Sequence, residues 1–159
     1  MSNAYTYRMP AGIPGDVSRV HDLTAEPRVM GATALDEFGL AGQLDSSTNT
    51  ILPMASNATA WGMLVRPYPA QSTTTALGSA APEAAKVYDM MRRGYMTVKN
   101  TAGTPAAGGT VYVQVVAATG KPLGSIAAEG DSGLREVLTG AKFMGPADSD
   151  GNVEICFNI

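Results

Sequence analysis

Glycine and proline interrupt this sequence so often that long helices are excluded. The chain of 159 residues contains 18 Gly and 10 Pro, and no part of it is free of them for long. Glycine destabilises a helix interior, and proline removes a backbone donor and breaks the helical hydrogen-bond ladder. The clearest segments between them show the two-residue alternation of β-strands. We therefore expect an all-β fold with at most one short helix.

Charge and cysteine content exclude several classes of protein. The formal net charge is −3, which argues against a general nucleic-acid-binding protein, since such a protein normally has a basic surface. The single Cys excludes an intramolecular disulfide and a zinc site built from cysteines. No stretch approaches the ~20 apolar residues that span a bilayer, and residues 1–10 lack the apolar segment of a signal peptide. We expect a soluble protein made in the cytoplasm.

The chain divides into an N-terminal arm, residues 1–33, and a single β domain, residues 34–159. The arm contains Pro10, Pro14 and Pro27 and has no sustained period of apolar residues. Because each proline removes a ladder donor, no central strand is expected in the arm. Met9 and Met30 have little core of their own there, so contact with another chain is expected of both.

The strongest strand predictions lie in the C-terminal half. Residues 111–116 are rich in β-branched side chains and Tyr, and residues 153–157 alternate strictly. Shorter strands are predicted at residues 61–66, 95–99, 123–127 and 142–144. Several short strands separated by turns predict a small β-barrel or a jelly-roll-like sandwich.

Residues 82–93 fit two structures. Pro82 suits the first turn of a helix and is followed by Glu, Ala and Lys, whereas residues 87–90 also suit a strand that ends in a turn at Arg92 and Arg93. A short helix could also open at residues 34–38, although Gly39 would end it early.

Few residues carry catalytic or ligand-binding chemistry. His21 beside Asp22 has the composition of a catalytic pair, but a pair exposed on the surface is the favoured interpretation. Residues 148–152 (DSDGN) resemble part of a calcium loop, yet Asp-Gly between strands is also a strong hairpin signal. Cys156, between Ile155 and Phe157, is expected to be a buried structural thiol. We predict no enzyme activity, no cofactor and no metal site.

Three blocks of the sequence, in this order and spacing, resemble the cement (decoration) proteins of tailed-bacteriophage heads. They are residues 7–19 (YRMPAGIPGDVSR), residues 61–69 (WGMLVRPYP), and residues 93–99 with 109–113 and the ending 143–158 (RGYMTVK, GTVYV and FMGPADSDGNVEICFN). The resemblance implies a small β domain with an extended N-terminal segment. It also implies a structural virion protein that clamps adjacent major capsid proteins on the outer surface of an expanded, HK97-type head.

The resemblance further implies a homo-oligomer, for which we favour a trimer over a dimer. Contact with the major capsid protein is expected from Tyr and Arg residues of the arm, since these types commonly anchor interfaces, and from the strand and corner at 61–69. The predicted contact residues are Tyr5, Tyr7, Arg8, Met9, Arg19, Arg66 and Tyr68. The alternative is another phage virion component, such as a head fibre base or a tail-tube protein. Neither nucleic acid nor membrane is an expected partner.

Overall fold

The structure, a computed structural model, describes residues 12–67 and 81–159. In this part of the chain the only helical element is one 3₁₀ turn at Val20–Asp22. The strands are β1 (Thr24–Met30), β2 (Ala41–Asp45), β3 (Thr50–Pro53), β4 (Ala60–Leu64), β5 (Val87–Lys99), β6 (Thr110–Gln114), β7 (Ile126–Ala127), β8 (Arg135–Phe143) and β9 (Asn152–Phe157). The predicted all-β fold is confirmed.

Five strands form a closed barrel. Hydrogen-bonded neighbours follow the order β1–β3–β2–β4–β5, and β5 pairs with β1 again, which closes the ring. The β1–β3 pair is parallel, and the other four pairs are antiparallel. Closure removes the free strand edges on which open sheets aggregate. The predicted barrel is thus present, built from residues 24–93.

The long strand β5 belongs to the barrel and to a second sheet. Its first half pairs with β1 and β4, and from Gly94 onward it pairs with β9. Gly94 has φ +144°, a backbone conformation that L side chains rarely adopt. Glycine at this position therefore allows the strand to pass from the barrel into the second sheet, whose order is β5–β9–β8–β6–β7.

Strand β7, at the far edge of the second sheet, is hydrogen-bonded to the segment that follows β5. The Thr101 N–H donates to Ile126 O at 2.9 Å, and the Ala128 N–H donates to Ala102 O at 2.8 Å. A further bond joins the barrel to the segment before β7, because the Ala41 N–H of β2 donates to Gly124 O at 2.9 Å. The barrel and the second sheet are therefore connected through backbone contacts as well as through β5.

Each sheet encloses its own group of buried apolar side chains. The barrel cluster consists of Met30, Leu35, Phe38, Leu40, Ile51, Leu64 and Met90. The larger cluster lies under the second sheet and includes Met91, Met96, Val98, Val111, Val113, Ile126, Leu138, Phe143, Val153, Ile155 and Phe157. The adjacent residues Met90 and Met91 belong to different clusters, because successive side chains of a strand point to opposite faces.

The predicted strands of the C-terminal half are confirmed, with shifted ends. Residues 111–116 and 153–157 correspond to β6 and β9, and Val153, Ile155 and Phe157 are buried as the alternation predicts. The strand expected at 142–144 is longer, since β8 begins at Arg135. The strand expected at 123–127 is shorter, since β7 holds only Ile126–Ala127.

The helix considered for residues 82–93 is wrong, and the alternative strand is correct. β5 begins at Val87 and continues through Arg92 and Arg93 without a turn. Its residues find partners on both sides, β1 and β4, so tertiary pairing outweighs the helix-favouring composition of residues 83–86. The segment 34–38 also forms no helix.

No central strand is predicted before residue 34, and β1, which pairs with both β3 and β5, corrects that prediction. Pro27 lies in the middle of β1 and is tolerated because of the direction in which its nitrogen points. The Met30 N–H donates to Lys86 O on the β5 side, so the two-residue alternation turns the Pro27 nitrogen to the opposite edge. On that edge β3 pairs only with Val29 and Met30, and no donor is required from Pro27.

Two further expectations about buried residues are corrected. Met30 is 2% exposed within the barrel cluster, so it packs in this chain's own core rather than against another chain. Cys156 is half-buried rather than buried, because it lies with Glu154 on the outer face of β9. Of the other methionines, Met54, Met63, Met90, Met91 and Met96 are buried.

The two motifs that could carry chemistry both lie in turns. His21 is exposed in the 3₁₀ turn. Within residues 148–152, Asp148 Oδ1 accepts the N–H groups of Asp150 at 3.0 Å and Asn152 at 2.8 Å, so this carboxylate stabilises the turn before β9. Among the described residues, no three His, Cys, Asp or Glu side chains lie together as metal ligands.

Candidate functional site

Residues 12–19, which we call the strap, lie along the edge of β5 opposite β9. The Gly15 N–H donates to Thr97 O at 2.9 Å, and the Thr97 N–H donates to Asp16 O at 2.9 Å. The Ser18 N–H donates to Tyr95 O at 3.1 Å. The strap therefore extends the second sheet by strand addition within one chain.

Arg66 holds the first half of the strap against the barrel. Its side-chain Nε donates to Pro14 O at 2.9 Å, and its backbone N–H donates to Gly15 O at 2.9 Å. The guanidinium carbon lies 4.8 Å from the centroid of the Phe38 ring, within the range of a cation–π contact. The side chain that follows β4 thus fixes the strap at the junction of the two sheets.

The strap can pass this junction only because residue 15 has no side chain. Gly15 is buried and has φ +92°. A Cβ atom there would lie 2.8 Å from Phe38 Cβ and 3.1 Å from the Arg66 nitrogen. Gly39 meets the strap from the other side, since its own Cβ would lie 2.8 Å from the Gly15 nitrogen. Two glycines therefore allow close approach of two backbones.

Arg19 anchors the other end of the strap to β9. Its guanidinium donates to Glu154 through Nη2 at 3.0 Å and Nε at 3.3 Å. The guanidinium carbon lies 3.9 Å from the centroid of the Tyr95 ring. The Ser18 hydroxyl donates to the same carboxylate at 2.6 Å. Hydrogen bonding to Glu154 raises the pKa of Arg19. The anchor is therefore a bidentate ion pair supported by an aromatic ring.

Replacing Arg19 with alanine is expected to loosen the end of the strap and leave the fold intact. An exposed ion pair of this kind stabilises a protein by about 1 kcal/mol or less, so the free energy of unfolding should change little. Hydrogen exchange of the Ser18 amide should become faster, because its bond to Tyr95 O is released locally. Lys86→Ala, an exposed cation before β5, is the matched control. Unchanged exchange at Ser18 would contradict the anchoring role.

The comparisons with known proteins identify a phage family. A family model, XM1 gp53 minor capsid protein, matches residues 1–157. The chain belongs to this family. A member of the XM1 gp53 minor capsid family is a structural virion protein of a phage head, which confirms the sequence resemblance at the level of a capsid-associated phage protein.

A solved structure supports the fold of this XM1 gp53 family member. It is a chain of "The capsid of Myoviridae Phage XM1", with a TM-score of 0.69 and 17% sequence identity. The match covers 99% of the present chain and 97% of that chain. At this identity the likeness shows a shared fold. No curated protein matches the sequence.

The described part of this minor capsid protein contains no helix that is long and apolar enough to cross a membrane. Of the predicted contact residues, Arg19 and Arg66 are described, and both hold the strap, at its two ends. Tyr5, Tyr7, Arg8, Met9 and Tyr68 lie outside the described residues. Contact with a partner remains a prediction for all seven.

Sequence reasoning missed the intramolecular partners of the strap. Glu154 is 135 residues away from Arg19, and no local pattern connects them. For Gly15, between Pro14 and Asp16, the sequence does give a signal of unusual backbone conformation, because glycine in such a segment often marks positive φ or close backbone approach. Its neighbours Phe38 and Arg66 could not be inferred from that signal.

Proposed function

We propose that this minor capsid protein is a cement protein that binds the outer surface of the head and clamps adjacent major capsid proteins. Family membership makes it a component of the head, and the three sequence blocks resemble cement proteins. Clamping would stabilise the expanded capsid, because one modest interface repeated over a shell acts with high avidity.

The observation that carries the proposal is the fixation of the strap at both ends. Arg66 and Arg19 hold residues 14–19 on the domain, and the Gly12 backbone lies beside Thr97. The eleven residues before Gly12 therefore start from a fixed point, and such a segment spans roughly 40 Å at full extension. We propose that these residues, with Tyr5, Tyr7, Arg8 and Met9, contact the neighbouring capsid proteins.

We also propose that the β domain forms the centre of a homo-oligomer, a trimer in preference to a dimer. Val29 and Val87 are opposite each other in β1 and β5 and point outward, with 41% and 63% of their surfaces exposed. Apolar side chains paired on an outer face favour burial against another protein surface. This face is accordingly the first candidate for a contact between copies or with the capsid.

Deletion of residues 2–11 tests the arm. Residues 12–19 must stay, because they pair with β5 and their removal would expose its edge. We expect the full chain to co-sediment with expanded heads that lack it, saturating at a fixed copy number per capsid subunit. The truncated chain should fold, with an unchanged circular dichroism spectrum and melting temperature, and should no longer bind heads.

Two outcomes would contradict the proposal. Binding of the truncated chain at full stoichiometry would show that the arm is not the clamp. Failure of the full chain to bind, with self-assembly into rings or tubes, would instead indicate a tail-tube protein. A small closed oligomer that needs the head for assembly is the expected behaviour of a cement protein.

A further inference from the structure

Charged and aromatic side chains occupy the end of the barrel interior that the apolar barrel cluster does not fill. Glu26 and Arg28 belong to β1, Trp61 to β4 and Arg92 to β5. We call this group the arginine–tryptophan pocket. The alternation of β1 places Glu26, Arg28 and Met30 on the inner face, so the barrel interior changes from apolar at Met30 to charged at Glu26.

The pocket contains two cations for one anion. Glu26 Oε2 lies 3.1 Å from Arg28 Nη2, a charged hydrogen bond. Glu26 Oε1 lies 3.9 Å from Arg92 Nε, which exceeds hydrogen-bonding distance. The side chains of Arg28 and Arg92 are only 25% and 28% exposed, so one of the two charges is incompletely neutralised in a partly buried place.

Hydrogen-bond donors also exceed acceptors in the pocket. Arg28 uses one further nitrogen on Asn49 Oδ1 at 3.3 Å. Its Nε and the Trp61 Nε1 are buried and have no acceptor in the described part of the chain. The Arg92 guanidinium likewise has no acceptor within hydrogen-bonding distance among the described residues, and its carbon lies 3.6 Å from the centroid of the Trp61 ring. Arg92 is therefore held in place by stacking on Trp61, and its guanidinium N–H groups are available to a further acceptor.

Arg92 and Trp61 are reachable from outside. Both line an open depression of about 520 Å³, whose other lining residues include Leu44, Thr59 and Ala60. Arg92 is the charged residue of this lining among the described residues. The depression thus presents one guanidinium, an indole, the polar side chains of Gln43 and Thr59, and the apolar side chains of Leu44, Ala58 and Ala60.

We propose that the arginine–tryptophan pocket binds a carboxylate side chain, Asp or Glu next to an apolar residue, from a segment of a partner protein. A guanidinium binds a carboxylate through two parallel hydrogen bonds, and stacking on Trp61 pre-orients Arg92 for this geometry. The apolar lining would contact the neighbouring side chain. Glu26 and the net charge of −3 disfavour a nucleic acid, which carries a continuous row of negative charges.

Trp61 makes the pocket measurable without any phage head, because it is the only tryptophan of the sequence. The probe is the capped peptide Leu-Glu-Leu-Glu, and its uncharged counterpart is Leu-Gln-Leu-Gln. We expect a saturable change in tryptophan fluorescence with the acidic peptide and binding about tenfold weaker, or none, with the amide peptide. Inorganic phosphate and a single-stranded oligonucleotide are titrated in parallel.

Three variants with different expected effects make the result specific. Arg92→Gln should weaken binding of the acidic peptide about tenfold, whereas Arg93→Gln should change it less than about twofold. The two arginines are adjacent, but Arg93 points to the exposed outer face. Glu26→Gln should strengthen binding, because it removes the carboxylate that competes for both guanidiniums. A gain of affinity cannot result from misfolding.

Equal binding of the acidic and amide peptides would overturn the proposal, as would equal losses in Arg92→Gln and Arg93→Gln. Tighter binding of phosphate or of the oligonucleotide would replace the carboxylate with a phosphate ligand and also overturn it. The assay uses the protein alone, so its outcome is independent of whether the protein clamps capsid proteins.

Discussion

Replacing Gly124 with alanine is expected to destabilise the protein by about 2–5 kcal/mol. Gly124 has φ +86°, which disfavours any L side chain, and its Cβ would overlap the carbonyl oxygen of Ala41. The obstacle is backbone of a buried residue, so it cannot rotate away as a side chain could. The Gly124 carbonyl also accepts the Ala41 N–H, so the clash would separate the barrel from the second sheet.

Urea unfolding of Gly124→Ala and Gly120→Ala together measures this effect. Gly120 lies four residues earlier, has φ +69°, and has open space where its Cβ would be. The Gly120→Ala variant should therefore lose only the free energy that a side chain costs at positive φ, about 1–2 kcal/mol. Equal losses in the two variants would show that the contact between Gly124 and Ala41 does not hold the two sheets together.

Replacing Gly15 with alanine is the second change with a large expected effect. It should lower the free energy of unfolding by about 2–4 kcal/mol. Residue 15 combines φ +92° with Phe38 Cβ at 2.8 Å from an added methyl group. The strap would have to leave the junction, and the bonds of its backbone with Thr97 and Arg66 would break. Hydrogen exchange at the Thr97 amide should become faster, because that amide donates to Asp16 of the strap.

Gly12→Ala is the matched control for the strap. Gly12 has nearly the same φ, +94°, but its Cβ would meet Thr97 Oγ1 at an ordinary 3.4 Å. It should lose about 1–2 kcal/mol and keep the Thr97 amide protected. If Gly15→Ala is no more destabilised than Gly12→Ala, the tight passage between Phe38 and Arg66 does not hold the strap.

The amino-acid sequence by itself determined the fold class and the most regular strands. Frequent Gly and Pro exclude long helices, and the alternation of Val153, Ile155 and Phe157 states which face of β9 is buried. These features are local, because each depends on the conformations that a few consecutive residues can adopt. The sequence also selected Arg19 and Arg66, but as contacts with a capsid partner, and it did not indicate that both hold the strap within this chain.

Only the tertiary structure decided how the barrel closes, how β5 is shared and where the strap lies. Val87–Lys99 is a strand because β1, β4 and β9 supply its hydrogen-bond partners, although its N-terminal flank favours a helix. Arg28 and Arg92 meet over Trp61 through chain closures of tens of residues, and Arg19 meets Glu154 through a closure of 135 residues. Such pairs leave no mark on the local sequence, since their energy arises only when distant strands come into register.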